Sequence, residues 1–594
     1  CHETPHVLHA AAGAKGPQCS ACHDLHSTQL LKQTDARVSR QCVSCHEAVH
    51  PSHAANAAAC TSCHRLDKRA TPAARMSPAA LNQNCATCHK YTSPVHSSVP
   101  KGAPTCTDCH DYAKDALMPA GALAVSQRCG ACHEDAMKAY RAGGHAQGLA
   151  EHNANRDLPN CVSCHSVHNG TRAASHDVRV AATTRCIQCH SSARLAEKYK
   201  LPPNVGASYT DDFHGATLQF QSGNTRGTQP AANVLTCSDC HGSHNVATRD
   251  KAQIAQVCQR CHEQGSVKLA GAWLGHAPPS RSNQIMVWLI RLFYYTLIPF
   301  VLIGLTLHII FQIIDQRRKG ARLAETGGMK RLRARLTGTR LPPERMVPRF
   351  SRLERFEHMG SMLTFAILVI TGLPQTRPDL GIAHTMIDFF GGIGVTRIIH
   401  RTAGFLFVAL LVRHVAHAIL RALRTHRMPV MATNAKDFRD AFETVRHFLF
   451  GTPRPKTGKF DFSEKFEYWG MFMGGTLMSV TGVALVFPEV ITQFLPGLAV
   501  AAFRVMHGLE ATFAALVVAL WHSYGVVLRP EVFPLDTSIF TGKISAHRLK
   551  EEHLGEYERL FPDEADAHDV AAEADDAENV EDDDVAIVAN GART

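Results

Sequence analysis

The sequence predicts a chain of two unlike parts: short helices and loops without an apolar core of their own, then an all-α part with five membrane-spanning helices. Two observations lead to this prediction. All 21 cysteines lie before residue 262, and long apolar runs begin only after residue 284. A chain of 594 residues is long enough for two or three domains. We expect a cysteine-rich domain at 1–283, an anchor helix at 284–315, a four-helix domain at 350–550 and a disordered acidic tail at 551–594.

The cysteines form one repeated motif. Twenty of them pair as Cys-x-x-Cys, and a histidine follows every pair. Two thiols at this spacing attach the vinyl groups of one haem, and the adjacent histidine ligates its iron. A zinc ribbon needs no histidine after each pair, and a redox dithiol would occur once. We predict ten c haems, at Cys19/Cys22/His23, Cys42/Cys45/His46, Cys60/Cys63/His64, Cys85/Cys88/His89, Cys106/Cys109/His110, Cys129/Cys132/His133, Cys161/Cys164/His165, Cys186/Cys189/His190, Cys237/Cys240/His241 and Cys258/Cys261/His262.

The first two residues, Cys1 and His2, match the end of the same motif. Histidines follow His2 at the same two offsets as they follow His46, so we expect an eleventh c haem here. The alternative is a lipoprotein cysteine at a processed N-terminus. Because c-haem attachment implies export, we expect an upstream signal peptide to have been removed.

Residues 1–283 also hold the histidines that a second axial position would need. They contain 24 in all. The segment is too polar to bury enough apolar surface alone, so we expect the haems to supply its core. In the recurring pattern Cys-His-x-x-His the second histidine usually reaches the iron of a neighbouring haem. Which histidine serves which haem is left open. The candidate distal ligands are His6, His9, His26, His50, His53, His96, His145, His152, His168, His176, His214, His244 and His276.

Five apolar segments long enough to span a bilayer follow, at 285–314, 359–376, 398–423, 468–487 and 504–528. The connection 315–357 holds 13 Lys and Arg against 5 acidic residues, and the connection 424–465 is also basic. The positive-inside rule therefore predicts that both face the cytoplasm of a bacterial inner membrane. The cysteine-rich part then lies in the periplasm, where haem attachment requires it.

The acidic stretch near the C-terminus and the net charge give little information about binding partners. The stretch 563–584 holds 12 acidic residues and no Lys or Arg, so we expect a disordered cytoplasmic tail. The formal net charge of +10 follows largely from the cytoplasmic connections. We expect contact with membrane lipid and none with nucleic acid.

Histidines inside a membrane are costly and therefore usually functional. By the predicted orientation, depth pairs His400 with His507 near the periplasm and His358 with His522 near the cytoplasm. His522 lies about 22 Å beyond His507 along the helix axis. Two b haems held in this way would carry electrons across the bilayer. In the rival set, His414 replaces His358.

Two further intramembrane histidines, His308 and His417, are expected to pack or to face a pore, unless they hold a third b haem.

The membrane part resembles the dihaem cytochrome b subunits of formate dehydrogenases and thiosulfate reductases over about residues 350–550. The segments that carry the resemblance are Arg355-Phe-Glu-His358, Thr371-Gly372, Arg397-Ile-Ile-His400-Arg-Thr-Ala-Gly404, Met506-His507 and Leu520-Trp-His522-Ser-Tyr524. The resemblance implies the haem ligands His358, His400, His507 and His522. It also implies a pocket for menaquinone or ubiquinone before the fourth membrane helix, at Asp461 and Glu464, where the family often has amides. The fusion as a whole resembles inner-membrane multihaem cytochromes of metal-respiring bacteria.

These observations together predict electron transfer between quinone and a periplasmic cytochrome or reductase, with quinol oxidation as the expected direction. Electrons would enter the c-haem array at Cys258/Cys261/His262, with His276 nearby. One alternative is a multihaem reductase of a nitrogen or sulfur oxyanion with one open haem. No motif has lysine in place of the histidine, which speaks against it. The other alternative is an electron-conduit subunit of a larger respiratory complex.

Overall fold

The computed structural model describes residues 106–110, 122–147, 157–165, 176–202, 204–222, 234–277, 279–318, 327–340, 343–529 and 531–562. For His176–Arg179 it describes the backbone alone. The predicted tail at 563–594 lies outside these residues. So do the predicted sites at Cys1, His2, His6, His9, Cys19, Cys22, His23, His26, Cys42, Cys45, His46, His50, His53, Cys60, Cys63, His64, Cys85, Cys88, His89, His96, His152 and His168.

The described residues form two compact units, with the main boundary between Val257 and Cys258. Short helices make up the first unit, as predicted, and the longest has 15 residues. One small apolar cluster joins Ala122, Met137 and Tyr140. The helices as far as residue 258 are Cys106–Cys109, Ala122–Gly130, Glu134–Ala142, Cys161–Cys164, His176–His190, Ala193–Tyr199, Val205–Thr210, Phe213–Ser222, Cys237–His241 and Lys251–Cys258.

The second unit contains five helices long and apolar enough to cross a membrane, and these confirm the predicted all-α membrane part. Much of their apolar surface faces outward, as with Phe300 and Leu363, which suits lipid as the solvent. The first to fifth membrane helices are Ile285–Arg318, Arg352–Thr376, Ile393–Thr425, Phe462–Val486 and Gly497–Leu528. The second ends in a 3₁₀ turn, Leu373–Thr376, and the fifth contains two π-helical turns, Val518–His522 and Tyr524–Leu528.

Shorter elements connect the membrane helices or follow them. Gly381–Phe389 and Pro488–Phe494 lie at one end of the bundle, after the second and fourth membrane helices. Ala435–Phe450 precedes the fourth at the other end. The remaining elements are the helices Val267–Ala270, Gly327–Thr337, Ser538–Thr541, Ala546–Glu552 and Leu554–Leu560 and the strands Met346–Pro348 and Lys543–Ser545.

The two strands close the end of the bundle at which the second and fourth membrane helices begin. They pair antiparallel, with Val347 opposite Ile544. Leu549 and Tyr557 complete a buried cluster with them, so ordered structure continues past residue 551.

Side-chain caps fix where the second and fourth membrane helices begin. Ser351 and Glu354 form a capping box at the second helix, and Asp461 and Glu464 form one at the fourth. In each box two backbone amides at the helix start gain side-chain acceptors, which satisfies donors that have no partner within the helix.

Candidate haem-binding sites

The described Cys-x-x-Cys-His motifs lie on or next to helices, which keep the two cysteines and the histidine within little more than one turn. In the Cys237 motif, the helix begins at a capping box formed by Thr236 and Asp239. The Nδ1 of His241 lies 2.9 Å from the carbonyl oxygen of Ala247. A histidine that donates Nδ1–H to a carbonyl keeps Nε2 available as a metal ligand.

The histidine of each described motif is held by a backbone turn that begins at the first cysteine. The amide of His110 donates to the carbonyl oxygen of Cys106 at 2.8 Å, and the amide of His133 donates to that of Cys129 at 2.9 Å. This turn keeps the histidine beside the two thiols, as attachment of one haem requires. The described contacts assign no distal histidine to His110 or His133, so both stay predicted iron ligands.

The second cysteine of each described motif is exposed or half-buried. Cys132, Cys189 and Cys261 are exposed, and Cys240 is half-buried. The described cysteines form no disulfide, so a haem could reach these sulfur atoms from outside the chain. No group of three or more His, Cys, Asp or Glu side chains among the described residues could hold a bare metal ion. Haem iron takes only its axial ligands from the protein, and the thioether bonds at the cysteines of every described motif stay predictions.

Two histidine pairs in the first unit fit the coordination of one iron between two imidazoles. The ring centres of His145 and His190 lie 6.2 Å apart, and those of His165 and His244 lie 6.0 Å apart. A metal–imidazole bond is about 2 Å, so two such rings on one metal have centres about 6 Å apart. His244 follows His241 in a Cys-His-x-x-His pattern, yet it faces the proximal histidine of another motif, as that pattern predicts.

The other described distal candidates have different neighbours. His214 lies 3.5 Å from a carboxylate oxygen of Asp212, and the ring of His276 meets Trp273 edge-on at 5.6 Å. These contacts do not assign either histidine to a haem.

Thiols of different motifs also lie side by side in the first unit. Cys129 lies next to Cys161, and Cys186 next to Cys237. Since each thiol marks the edge of a predicted haem site, these contacts bring neighbouring sites together.

In the membrane unit, His400 and His507 face each other at one end of the bundle, with ring centres 6.5 Å apart. Thr371 lies 2.9 Å from Nδ1 of His400, and its hydroxyl donates to the carbonyl oxygen of Ile367 at 2.6 Å. The threonine oxygen therefore accepts Nδ1–H, and Nε2 stays free for iron.

Thr481 repeats this arrangement at His507. Its oxygen lies 2.9 Å from Nδ1 of that ring, and its hydroxyl donates to Leu477 at 2.7 Å. We call the end of the bundle that carries Thr371 and Thr481 the threonine end.

Each threonine is followed by a glycine that lets the histidine ring approach the helix. A Cβ on Gly372 would lie 2.8 Å from Cε1 of His400, and a Cβ on Gly482 would lie 3.1 Å from Cε1 of His507. Sequence reasoning used only the first Thr-Gly pair. The signal for the second was its repetition in the fourth membrane helix.

At the other end of the bundle, His358 and His522 have ring centres 6.1 Å apart, so this pair also fits one iron. Nδ1–H of His522 donates to the carboxylate of Glu467. Nδ1 of His358 is buried without a hydrogen-bond partner among the described residues. We call the end that carries these two histidines the cavity end.

His414, the rival ligand, contacts other side chains. Its Nε2 lies 2.8 Å from the hydroxyl of Tyr468, and its Nδ1 lies 3.1 Å from Glu357. Arg413 holds the other oxygen of Glu357 at 2.6 Å. The ring therefore faces a tyrosine, and the geometry favours His358 as the partner of His522.

A cavity of about 2480 Å³ opens at this end, lined by His358, His522, His414 and Tyr468. Sites for single small ligands are typically about 300–1,000 Å³. The cavity is therefore large enough for a haem together with a second ligand. His308 lines it too, with its ring 5.0 Å from that of Trp521, and the exposed His417 lies at its edge.

Asp461 and Glu464, the residues predicted for a quinone pocket, border the same cavity but bind other groups. Beyond their capping box, Glu464 accepts from Arg349 at 2.7 Å and lies 3.8 Å from the buried His553. Burial and the charge of Arg349 lower the pKa of His553 to about 4.

The last Cys-x-x-Cys-His motif contacts the connection between the fourth and fifth membrane helices. Nδ1–H of His262 donates to Glu489 at 2.6 Å, and Lys268 donates to the carbonyl oxygen of Gln493 at 3.2 Å. The contact lies at the threonine end. Sequence reasoning missed Glu489 because 227 residues separate it from His262.

Comparison with known families agrees with this geometry. Residues 349–541, which include the second to fifth membrane helices, match the family model of prokaryotic cytochrome b561. Residues 9–51 match the model of the doubled CXXCH motif. No curated protein matches the chain.

The chain thus joins a multihaem c-type segment to a cytochrome b domain, which confirms the predicted fusion. It is a membrane protein that binds haem b and haem c and transfers electrons through them.

Proposed function

We propose that this chain exchanges electrons between quinone and periplasmic redox partners through two b haems and eleven c haems. The observation that carries the proposal is that one bundle contains two histidine pairs, His400 with His507 and His358 with His522. Both have the ring separation that one iron requires, and they lie at opposite ends of the bundle. Haem iron carries the electrons, and the protein supplies ligands, spacing and tuning of potentials.

The c haems would form the periplasmic part of the path, with ten at the complete motifs and an eleventh at Cys1 and His2. The contact between His262 and Glu489 supports transfer between the threonine end and the last c haem. His145 with His190 and His165 with His244 support bis-histidine coordination further along the array. The final partner would be a soluble periplasmic cytochrome or a reductase, or another subunit of a respiratory complex.

Quinol, menaquinol or ubiquinol, would react at the cavity end, which the positive-inside rule assigns to the cytoplasm. Each quinol that becomes quinone gives up two electrons and two protons. The electrons would leave one at a time through the haem on His358 and His522, and the protons would leave toward the cytoplasm. The size of the cavity and its position beside this histidine pair support a quinone there.

The test uses the full chain purified in lipid nanodiscs. A pyridine haemochrome assay is expected to give two b haems for eleven c haems. On mixing with menadiol, the b-haem band should be reduced first and the c-haem band afterwards. If quinol reduces no haem, while dithionite reduces all of them, the proposed quinone link is wrong. A potentiometric titration of the two bands then sets the direction of transfer.

A further inference from the structure

We propose that an oxygen of the quinone ring binds at the His414–Tyr468 pair by replacing the hydrogen bond between these side chains, at a site that is the internal counterpart of the haem site formed by His358 and His522. This inference rests on the proposed function and names the residues that hold the ring. It departs from the pocket that the family resemblance implied at Asp461 and Glu464.

The first support is a repeat in the sequence of the second and fourth membrane helices. The two helices have the same bounds when one is shifted by 110 positions, and a set of identical residues then falls at the same places. The shift preserves the capping box, a glutamate near the start of the helix and the Thr-Gly pair near its end. The matched positions are Ser351 and Asp461, Glu354 and Glu464, Phe356 and Phe466, Glu357 and Glu467, Gly360 and Gly470, Thr371 and Thr481, and Gly372 and Gly482.

The third and fifth membrane helices continue the repeat. His507 follows His400 by 107 positions. The same shift takes His414 to within one residue of His522, which is displaced because a π-helical turn, Val518–His522, intervenes. Such a turn accommodates one extra residue within an α-helix and is frequent at functional sites. His414 is therefore the counterpart of His522.

The contacts follow the repeat. Glu467 accepts from His522, and its counterpart Glu357 lies 3.1 Å from Nδ1 of His414. The 110-position shift takes His358 to Tyr468, whose hydroxyl lies 2.8 Å from Nε2 of His414. One half of the bundle thus holds a histidine pair, and the other half holds a histidine–tyrosine pair in the same framework.

The histidine–tyrosine pair suits the oxygen of a quinone ring. Glu357, held by Arg413 at 2.6 Å, fixes Nδ1 of His414, so Nε2 and the phenol hydroxyl are the polar groups that point toward each other. They bond to each other, and either can donate to, or accept from, a ring oxygen that replaces this bond. Phe472 lies parallel to the Tyr468 ring at 6.3 Å and provides a flat apolar wall.

The position of the pair suits electron transfer as well. One cavity is lined by both pairs, His414 with Tyr468 and His358 with His522. A quinone ring at His414 and Tyr468 would therefore share this cavity with the haem to which it passes electrons. Asp461 and Glu464 are less suited to bind the ring, because several hydrogen bonds from the helix cap and Arg349 hold their carboxylates, whereas a single hydrogen bond joins His414 to Tyr468.

The experiment compares Tyr468→Phe and His414→Leu with the wild-type full chain in nanodiscs. The probe is a hydroxyquinoline N-oxide, a quinol analogue, whose Kd is read from its fluorescence quenching. Each variant removes one hydrogen bond, so we expect about tenfold weaker binding. We expect a similar fall in the rate of b-haem reduction by menadiol and an unchanged b-haem content. The matched control is Tyr295→Phe, the same change at an exposed tyrosine of the first membrane helix, which should bind the probe like the wild type.

Three results would overturn the inference. Loss of a b haem from His414→Leu would make His414 a haem ligand. Unchanged probe affinity in Tyr468→Phe, together with weaker binding in Glu464→Gln, would return the ring to the fourth-helix cap and leave the proposed function intact. A wild-type protein that neither binds the probe nor accepts electrons from menadiol would refute the proposed function itself.

Discussion

The two ends of the membrane bundle hold similar histidine pairs in different surroundings. At the threonine end, both rings donate Nδ1–H to a threonine, and a glycine lies against each ring. At the cavity end, one ring donates to a carboxylate, while Nδ1 of the other has no partner among the described residues. A large cavity opens beside the second pair.

The difference follows from how each pair relates to the internal repeat. His400 and His507 are counterparts, so their site contains the same residues on both sides. His358 and His522 are not counterparts, and a second, unequal pair of residues remains at their end. A symmetric site suits passage of electrons alone, whereas the unequal end leaves room and polar groups for a substrate.

The largest expected effect comes from removing one haem-ligating histidine at either end of the bundle. His507→Ala and His522→Ala should each lose one b haem and keep all c haems, because an iron that loses an axial ligand binds weakly. In His507→Ala, menadiol should still reduce the remaining b haem but no longer reach the c haems. In His522→Ala, menadiol should reduce neither.

A pyridine haemochrome assay and stopped-flow spectra measure both effects. The control is His417→Ala, which changes an exposed histidine of the third membrane helix and should keep two b haems. Two b haems in His522→Ala would contradict the ligand set.

The next effect tests how closely the threonine end is packed. Gly372→Ala should destabilise haem binding more than Gly482→Ala, because the new Cβ would lie 2.8 Å from the ring in the first case and 3.1 Å in the second. Overpacking of this kind typically costs about 1–3 kcal/mol. Thermal loss of the b-haem Soret band measures it.

Gly470→Ala is the matched control, because its Cβ would meet nothing within 4 Å and alanine favours a helix. Equal melting temperatures for Gly372→Ala and Gly470→Ala would mean that the threonine end is not tightly packed.

A smaller effect concerns the link from the threonine end to the c haems. Glu489→Gln should raise the midpoint potential of the c haem at Cys258, since a carboxylate that accepts Nδ1–H makes the histidine a stronger donor to iron. A hydrogen bond to a charged group contributes about 1.5 kcal/mol, or about 60 mV for one electron.

Glu263→Gln makes the same change of charge at an exposed residue next to His262. Redox titration should give a smaller shift for it. Identical shifts in both variants would point to a general charge effect instead of the hydrogen bond.

The last effect is on stability alone, a pH dependence at the cavity end. The folded protein keeps the pKa of His553 at about 4, against 6.5 for the free side chain. Below about pH 6.5 the unfolded chain takes up the proton first, so stability should fall by up to about 1.4 kcal/mol per pH unit until pH reaches about 4.

Melting curves between pH 7 and pH 5 measure this loss. His553→Gln keeps groups that can bond to Arg349 and Gly458, and it should flatten the curve. An equally steep curve in this variant would assign the acid sensitivity to other groups.

The sequence by itself predicted the c-haem sites and determined the membrane helices. A Cys-x-x-Cys-His motif spans little more than one helical turn, and an apolar run of 20 residues spans a bilayer by its own length. Both features depend only on residues that are close together in the sequence. The ligand set His358, His400, His507 and His522 was also predicted, from depth and from family resemblance, and it remains a prediction that the ring distances support.

The tertiary structure alone decided which groups meet over long sequence separations. It brought His145 to His190 and His244 to His165, gave His262 its contact with Glu489, and turned His414 toward Tyr468. Such contacts depend on how helices pack, and packing is set by many side chains together. The 110-position repeat was present in the sequence throughout, but only the contacts revealed that its two halves form unequal sites.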